Sequence, residues 1–337
     1  HPMQNTSQVV IRNLKAFDAS SLLVVGMPDD DLLGELAYKE AFTWDYSVYS
    51  TLSKRGFENL SWGAVFETDQ TFKQILMFVP KSKPELDLLF AMVSSKLEAG
   101  GELLLVGAKK EGINSVAKKL KSVGEHPEKL DMARHCQLWS VIKTVQDKPF
   151  NLDDWLEEYE VVSGDEQLTA ISIPGVFSHG RLDGATSLLL ENLGKIPSGR
   201  LLDFGCGCGV LGAMLVKKNP EAMVELIDIN ALALYCAEKT LAKNNLKGKV
   251  YPSNGLQGVT GRFNGVFTNP PFHSGVKTNY ATTETFIRKL PDHMTKAAPL
   301  RLVANVFLKY SDIIDSALDR FDTVTENTKF RVYKAYR

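Results

Sequence analysis

Two stretches of this 337-residue chain hold side chains able to bind a small charged ligand. The run "LLDFGCGCGVLG" from Leu201 to Gly212 places Gly205, Gly207 and Gly209 between a strand-like and a helix-like segment, with Asp203 two residues ahead of the first glycine. Glycine permits a tight turn and lets backbone N–H groups approach a ligand with no Cβ in the way. Asp203 suits a cationic amino group better than a pyrophosphate; its other reading is an acid that caps the loop behind it. The spacing is G-x-G-x-G with Val210 next, so the dinucleotide pattern G-x-G-x-x-G is not met, and no G-x-x-x-x-G-K-[ST] phosphate loop occurs. Asp228 ends "VELID" 25 residues after Asp203, close to the spacing at which an acid reaches ribose hydroxyls in nucleotide-binding α/β folds. After the next strand comes Asn254, which is either a turn residue or the reader of an adenine edge while Ile229 packs on the adenine face. An amino-acid end, a ribose and an adenine together describe S-adenosylmethionine.

A third stretch, "FTNPPFHSG" from Phe267 to Gly275, sits where the apolar run 263–267 stops. Loops at strand ends carry chemistry. Pro270 fixes its own φ and keeps Asn269 out of the helical region, and Pro271 does the same to Pro270, so the loop is stiff before any ligand arrives.

The elements that must hold these stretches alternate. Strands are expected at Arg200 to Phe204, Val224 to Ile227, Lys249 to Tyr251, Val266 to Thr268 and Leu300 to Val306, with helices at Val210 to Lys218 and Ala231 to Asn244. This is the βαβ rhythm of a parallel sheet covered on both faces. The first half repeats it. "LLVVGMPDDDLLGELA" (Leu22 to Ala37) aligns with Leu201 to Val216, but Pro28 and Asp30 replace the second and third glycines and Val24 replaces Asp203. "ILMFVPKSKPE" (Ile75 to Glu85) aligns with Gly265 to Gly275, and "GGELLLVG" (Gly100 to Gly107) with Ala298 to Asn305. A duplicated fold follows, its first copy having lost the ligand chemistry. Between the halves, "NLDDWLEEYEVVSGDE" holds seven acids and no Lys or Arg, so we expect domains at 1–150 and 169–337 joined by an acidic connector at 151–168.

Composition bounds the function. With 44% hydrophobic and 23% charged residues and a net charge of −1, the chain reads as globular, with any polyanion surface local. No apolar run reaches membrane-spanning length and no leader pattern opens the chain, so a cytoplasmic protein off the membrane is expected. His1-Pro2 ahead of Met3 reads as an expression remnant. Cys136, Cys206, Cys208 and Cys236 lack disulfide-framework spacing. Cys206 and Cys208 lack a second Cys or His pair, so small side chains fitting a tight loop are expected and no metal. Cys136 beside His135 is read as core.

The segment from Asp203 to Gly209, Asp228 and Asn269-Pro270-Pro271-Phe272 together resemble the class I methyltransferases that act on exocyclic or amide nitrogens. With the degenerate first copy and "PGVFSHGRLDGATSLLL" (Pro174 to Leu190), the whole chain most resembles the RsmC-type small-subunit ribosomal RNA guanine-N2 methyltransferases. The resemblance implies two tandem Rossmann-like class I methyltransferase domains, α/β and doubly wound with mostly parallel sheets, the first degenerate. It also implies S-adenosylmethionine as cofactor, bound by the second domain at Asp203, Gly205, Cys206, Gly207, Gly209, Asp228, Ile229, Asn254, Asn269 and Phe177, with Arg181 beside Phe177. The substrate it implies is a guanine of 16S ribosomal RNA in the assembled small subunit, with the first domain giving support and RNA recognition; a monomer is expected.

The residue types fit that chemistry. An aromatic amino nitrogen is a poor nucleophile until acceptors hold its hydrogens, which the Asn269 side-chain oxygen and the Pro270 carbonyl can do, and Phe272 can stack on an extruded base. His273 either acts as a base or lines the pocket. The run Leu103 to Lys148 holds nine Lys or Arg against five acids, and "KKEGINSVAKKLKS" is expected to form an amphipathic helix. Lys118, Lys119 and Lys121 there, Lys81 and Lys83, and Lys277, Arg288 and Lys289 are either solvated faces or phosphate contacts. Asn-Pro-Pro-aromatic also serves adenine-N6 and protein-glutamine methyltransferases, and the first half alone suits a non-catalytic RNA-binding assembly factor.

Overall fold

The computed structural model describes residues 2–80, 86–146, 149–174, 180–271 and 276–337, with only the backbone for 276–279. The chain divides into two compact units, His1–Trp155 and Leu156–Arg337.

In the second unit, a hairpin of β8 (Glu157–Ser163) and β9 (Glu166–Ser172) precedes α6 (Gly184–Leu190). Then follow β10 (Gly199–Phe204), α7 (Val210–Lys218), β11 (Ala222–Asp228), α8 (Ala231–Lys243), β12 (Lys249–Pro252), β13 (Gly265–Thr268), α9 (Val276–Lys289), β14 (Pro299–Asn305), α10 (Ser311–Ala317), β15 (Asp319–Glu326) and β16 (Phe330–Tyr336). The seven-stranded sheet runs β12-β11-β10-β13-β14-β16-β15, parallel except where β16 pairs with β14 and β15. Strand order reverses between β10 and β13, and the crevice at the carboxyl ends of these strands is where such sheets bind ligands.

The packing follows from the sequence. Buried parallel strands read as continuous apolar runs, and β10 is buried from Leu201 to Phe204. Helix α7 is buried along "VLGAML", and Gly212 admits it to the sheet: a Cβ there would lie 2.6 Å from Leu226 Cδ2. On the other face Phe204 stacks on Phe286 of α9 with ring centres 3.7 Å apart, inside a core with Val266, Ile287 and Leu300.

The first unit carries β1 (Leu22–Val25), β2 (Glu40–Thr43), β3 (Leu60–Trp62), β4 (Phe72–Phe78), β5 (Leu97–Ala108), β6 (Glu128–Ala133) and β7 (Cys136–Ile142), ordered β3-β2-β1-β4-β5-β7-β6. Its helices are α1 (Asn5–Arg12), α2 (Leu32–Glu35), α3 (Tyr46–Lys54), α4 (Leu86–Ser94) and α5 (Ile113–Val116). Strand for strand, this is the order of the second unit. In both, the first glycine of the loop donates its N–H across to the second strand, Gly26 to the Phe42 carbonyl at 3.0 Å and Gly205 to the Ile227 carbonyl at 2.9 Å. Matching Leu22–Val25 to Leu201–Phe204, the pairings then set Thr43 opposite Asp228, Trp44 opposite Ile229 and Phe78 opposite Asn269.

Three expectations are corrected. The alignments of Ile75 to Glu85 and Gly100 to Gly107 were one residue out of step: strand pairing equates Ile75 with Val266 and Leu103 with Leu300. Apolar runs buried on both faces carry no alternation to fix a register. The acidic stretch 151–168 is folded, not a linker: Tyr159 and Val161 are buried between exposed Glu158, Glu160 and Val162, a period of two that the acids disguised. Helix α8 finishes this hairpin, with Thr240 Oγ1 accepting from the Ile171 N–H at 3.0 Å and Asn244 bonding both backbone groups of Thr169. Lastly, "KKEGINSVAKKLKS" is broken into a 3-10 turn at Lys109–Glu111, α5 and a 3-10 stretch at Ala117–Ser122, because Gly112 at φ +83 ends the first turn.

Candidate active site

The glycine loop is built on three left-handed residues, Gly205 (φ +69), Gly207 (φ +54) and Gly209 (φ +87). Two of them are held by close neighbours. A Cβ on Gly205 would lie 2.9 Å from Pro271 Cδ, and one on Gly209 would lie 3.0 Å from Ala237. Around Gly207 nothing lies within 4 Å, so the space its missing Cβ leaves is open to a ligand.

Asp203 is 1% exposed at the base of this loop, and its Oδ2 accepts the Gly212 N–H at 2.9 Å in the first turn of α7. The capping reading of this acid is therefore what the geometry shows. Burial pushes its carboxyl up to about 8, against the Gly212 hydrogen bond and helped by the charge of Asp228. Asp228 stands half-buried at the end of β11 and binds the loop from below, its Oδ2 accepting from Gly207 N–H and its Oδ1 from Asn230 N–H, both at 3.0 Å. A carboxylate accepts about four hydrogen bonds, so capacity for a diol remains. Asn230 caps α8 by accepting from the Leu232 and Ala233 N–H groups. Ile229 and Asn254, both half-buried, complete this end of the sheet, where Asp228 pairs with Pro252 two residues before Asn254. Ser253 fixes the turn by donating to the Gly255 carbonyl at 2.7 Å.

The Asn-Pro-Pro segment leaves β13 beside the loop. Thr268 Oγ1 donates to the Phe204 carbonyl at 2.7 Å, tying the ends of β13 and β10 together where order reverses. Asn269 Nδ2 donates to Thr186 Oγ1 at 3.2 Å. Thr186 is itself held in the first turn of α6, where Asp183 Oδ1 accepts its N–H at 2.9 Å. With its amide nitrogen engaged, Asn269 presents its carbonyl oxygen as the acceptor, and among the described residues no donor is bonded to it. Pro270 is buried and Pro271 half-buried.

Reading the sequence missed Asp183, Thr186 and Thr268. The signal for the first two was "DGAT", an Asp at the cap position three residues before Thr186. Cys206 and Cys208 are buried, and burial with nearby Asp charges holds their thiols above the ordinary value. Among the described residues no group of three or more His, Cys, Asp or Glu could hold a metal. No helix there is long and apolar enough to cross a membrane. Phe177, Phe272, His273, Lys81 and Lys83 lie outside the described residues, as does the side chain of Lys277. Arg181 and Lys289 are exposed, and Arg288 pairs with Glu284 at 2.9 Å. In the first unit Lys118, Lys119 and Lys121 are exposed, Lys119 bonded to Asp87 at 2.7 Å. Lys143 is instead buried, donating to the Ser94 and Leu97 carbonyls at 2.7 and 2.8 Å.

Residues 167–334 match the methyltransferase small domain and residues 7–159 its N-terminal domain. The ribosomal RNA small subunit methyltransferase C of Pseudomonas fluorescens is 43% identical over 335 residues, covering 99% of this chain and 100% of that protein. The chain belongs to the ribosomal RNA small subunit methyltransferase C family. Its relative of that name from Pseudoalteromonas atlantica is 39% identical, with 97% of each chain covered. The family fold extends to a solved structure described as the T. Thermophilus 16S rRNA N2 G1207 methyltransferase in complex with AdoMet and guanosine. That structure matches at TM-score 0.82 and 20% identity over 99% of this chain and 92% of that one.

Proposed function

We propose that the second unit transfers a methyl group from S-adenosylmethionine to the exocyclic N2 of a guanine in 16S ribosomal RNA of the assembled small subunit. The observation that carries this reading is Asn269, whose amide nitrogen is held by Thr186 so that its carbonyl oxygen faces outward beside the glycine loop. The site residues fit the cofactor. Gly207 leaves a cradle that a Cβ would fill, Asp228 can accept the ribose hydroxyls, and Asn254 and Ile229 stand where the adenine would lie. When bound there, S-adenosylmethionine supplies an electrophilic methyl sulfonium.

The protein's own part is positioning. Asn269 Oδ1 and the Pro270 carbonyl accept the two hydrogens of the amino group and turn its lone pair out of conjugation toward the methyl group. No strong base is required, because the amine sheds its proton after transfer. The prolines hold both acceptors in place beforehand, and Thr268 and Thr186 fix the segment to β10 and α6. The names of its relatives support ribosomal RNA as the substrate, and the first unit serves as support and RNA recognition, without a cofactor site.

The test is transfer of radiolabelled methyl groups to small subunits, naked 16S RNA and large-subunit RNA from unmodified cells, followed by nucleoside analysis. N2-methylguanosine in small subunits alone, lost with Asn269→Ala, is the expected result. Label in N6-methyladenosine, or only in protein, contradicts it.

A further inference from the structure

At the same end of the second sheet, one strand over from the Asn-Pro-Pro segment, the loop leaving β14 presents Phe307 with 58% of its surface exposed. Large aromatic rings are normally covered, and this one is held out by a fixed backbone. On one side Val306 N–H donates to the Lys329 carbonyl at 2.9 Å; on the other Leu308 is buried, its N–H bonded to the Asn305 carbonyl at 3.0 Å. Two residues on, Tyr310 is buried and stacks on Tyr280 of α9 with ring centres 5.1 Å apart, and Tyr280 Oη donates to the Lys309 carbonyl at 2.7 Å. Helix α9 is the element that follows the Asn-Pro-Pro-Phe motif, so the Phe307 loop and the substrate loop share one anchor. Lys309 and Lys329, either side of Phe307, are both exposed.

The first unit shows what this position holds without a reacting base nearby. There Lys109 N–H bonds the His135 carbonyl at 2.8 Å, the counterpart of Val306 and Lys329, so Phe307 corresponds to Lys110. An aromatic ring with flanking cations, held rigid beside the acceptors for an amino group, is the composition of a stacking platform for single-stranded nucleic acid. Because Phe307 lies beyond the end of the neighbouring strand and not on β13, it suits a base adjacent to the reacting one.

We propose that Phe307 stacks on the nucleotide flanking the target guanine, with Lys309 and Lys329 on its phosphates, and so positions the RNA strand at the site. The inference rests on the function proposed above, and the experiment separates the two. Methyl transfer to small subunits is measured for wild type, Phe307→Ala, Phe307→Leu and Phe307→Trp, with S-adenosylmethionine affinity followed by calorimetry. The Ala and Leu variants should lose about 5- to 150-fold in kcat/KM, the range for stacking one base, while Trp stays near wild type and cofactor affinity is unchanged in all three. Lys309→Ala and Lys329→Ala should each flatten the salt dependence of RNA binding by about one unit of slope. An active wild type with Ala within twofold of it, or Leu serving as well as Trp, overturns the platform alone; an inactive wild type overturns the parent reading.

Discussion

The two units share one strand order and one loop hydrogen bond, yet differ at each position where the second gathers ligand-binding groups. Where the second has Asp228, Ile229 and Asn269, the first has Thr43, Trp44 and Phe78. Aromatic side chains have taken over this end of the first sheet. Trp44 meets Phe42 edge-on at 5.1 Å, Trp62 meets Tyr46 at 5.3 Å, and Trp62 Nε1 donates to the Trp44 carbonyl at 2.9 Å. What survives is the capping: Asp45 accepts from the Ser47 and Val48 N–H groups at the start of α3, as Asn230 does at the start of α8. The comparison teaches that the scaffold tolerates loss of the site because helix caps and strand pairing, not the ligand groups, hold it together.

That claim can be broken from either side. The largest expected effect is Asn269→Ala, which should lower kcat for methyl transfer at least about 100-fold through lost positioning, with cofactor affinity near wild type. Its counterpart Phe78→Ala should leave kcat within a few-fold; equal losses would erase the distinction. Next, Gly207→Ala should weaken S-adenosylmethionine binding about tenfold or more by filling the open cradle, while its fold bears only the cost of a left-handed residue, about 1–2 kcal/mol. Gly205→Ala bears that strain plus the overlap with Pro271, so denaturant titration should rank it the less stable of the two.

Asp203 gives a pH-dependent prediction. Its folded pKa of about 8 lies above the ordinary 3.8, so between these values the unfolded chain ionises while the folded chain keeps its proton. Stability from this group therefore falls as pH rises from 4 to 8 and is flat beyond. Asp203→Asn keeps an oxygen for the Gly212 N–H and should gain over wild type by at most about 1.4 kcal/mol per pH unit across that window. An advantage that shrinks with rising pH would contradict the burial account. The smallest effect belongs to Lys118, Lys119 and Lys121: reversing them to Glu should weaken binding to small subunits in a salt-sensitive way and leave cofactor affinity alone.

Much of the second sheet could be read beforehand because its strands are apolar runs bounded by glycine, asparagine and proline. Helix α7 was expected at Val210 to Lys218 and lies there, and the strand before it starts one residue earlier than expected, at Gly199. The hairpin of β8 and β9 escaped because its exposed face is crowded with Glu157, Glu158, Glu160 and Glu166, which read as a linker. The one-residue slip between the repeats escaped because register lives in hydrogen bonds between strands distant in sequence. Within the candidate site, the glycine loop, Asp228 and Asn269 were legible as local patterns. Thr186 was not, since 83 residues separate it from the Asn269 amide that it holds.

The central claim, one functional site in two copies of one fold, is tested most directly by calorimetric titration of the full chain with S-adenosylmethionine. The account predicts one site per chain, abolished by Asp228→Ala and unaffected by Thr43→Ala. Two sites, or binding that survives Asp228→Ala and fails with Thr43→Ala, would contradict it.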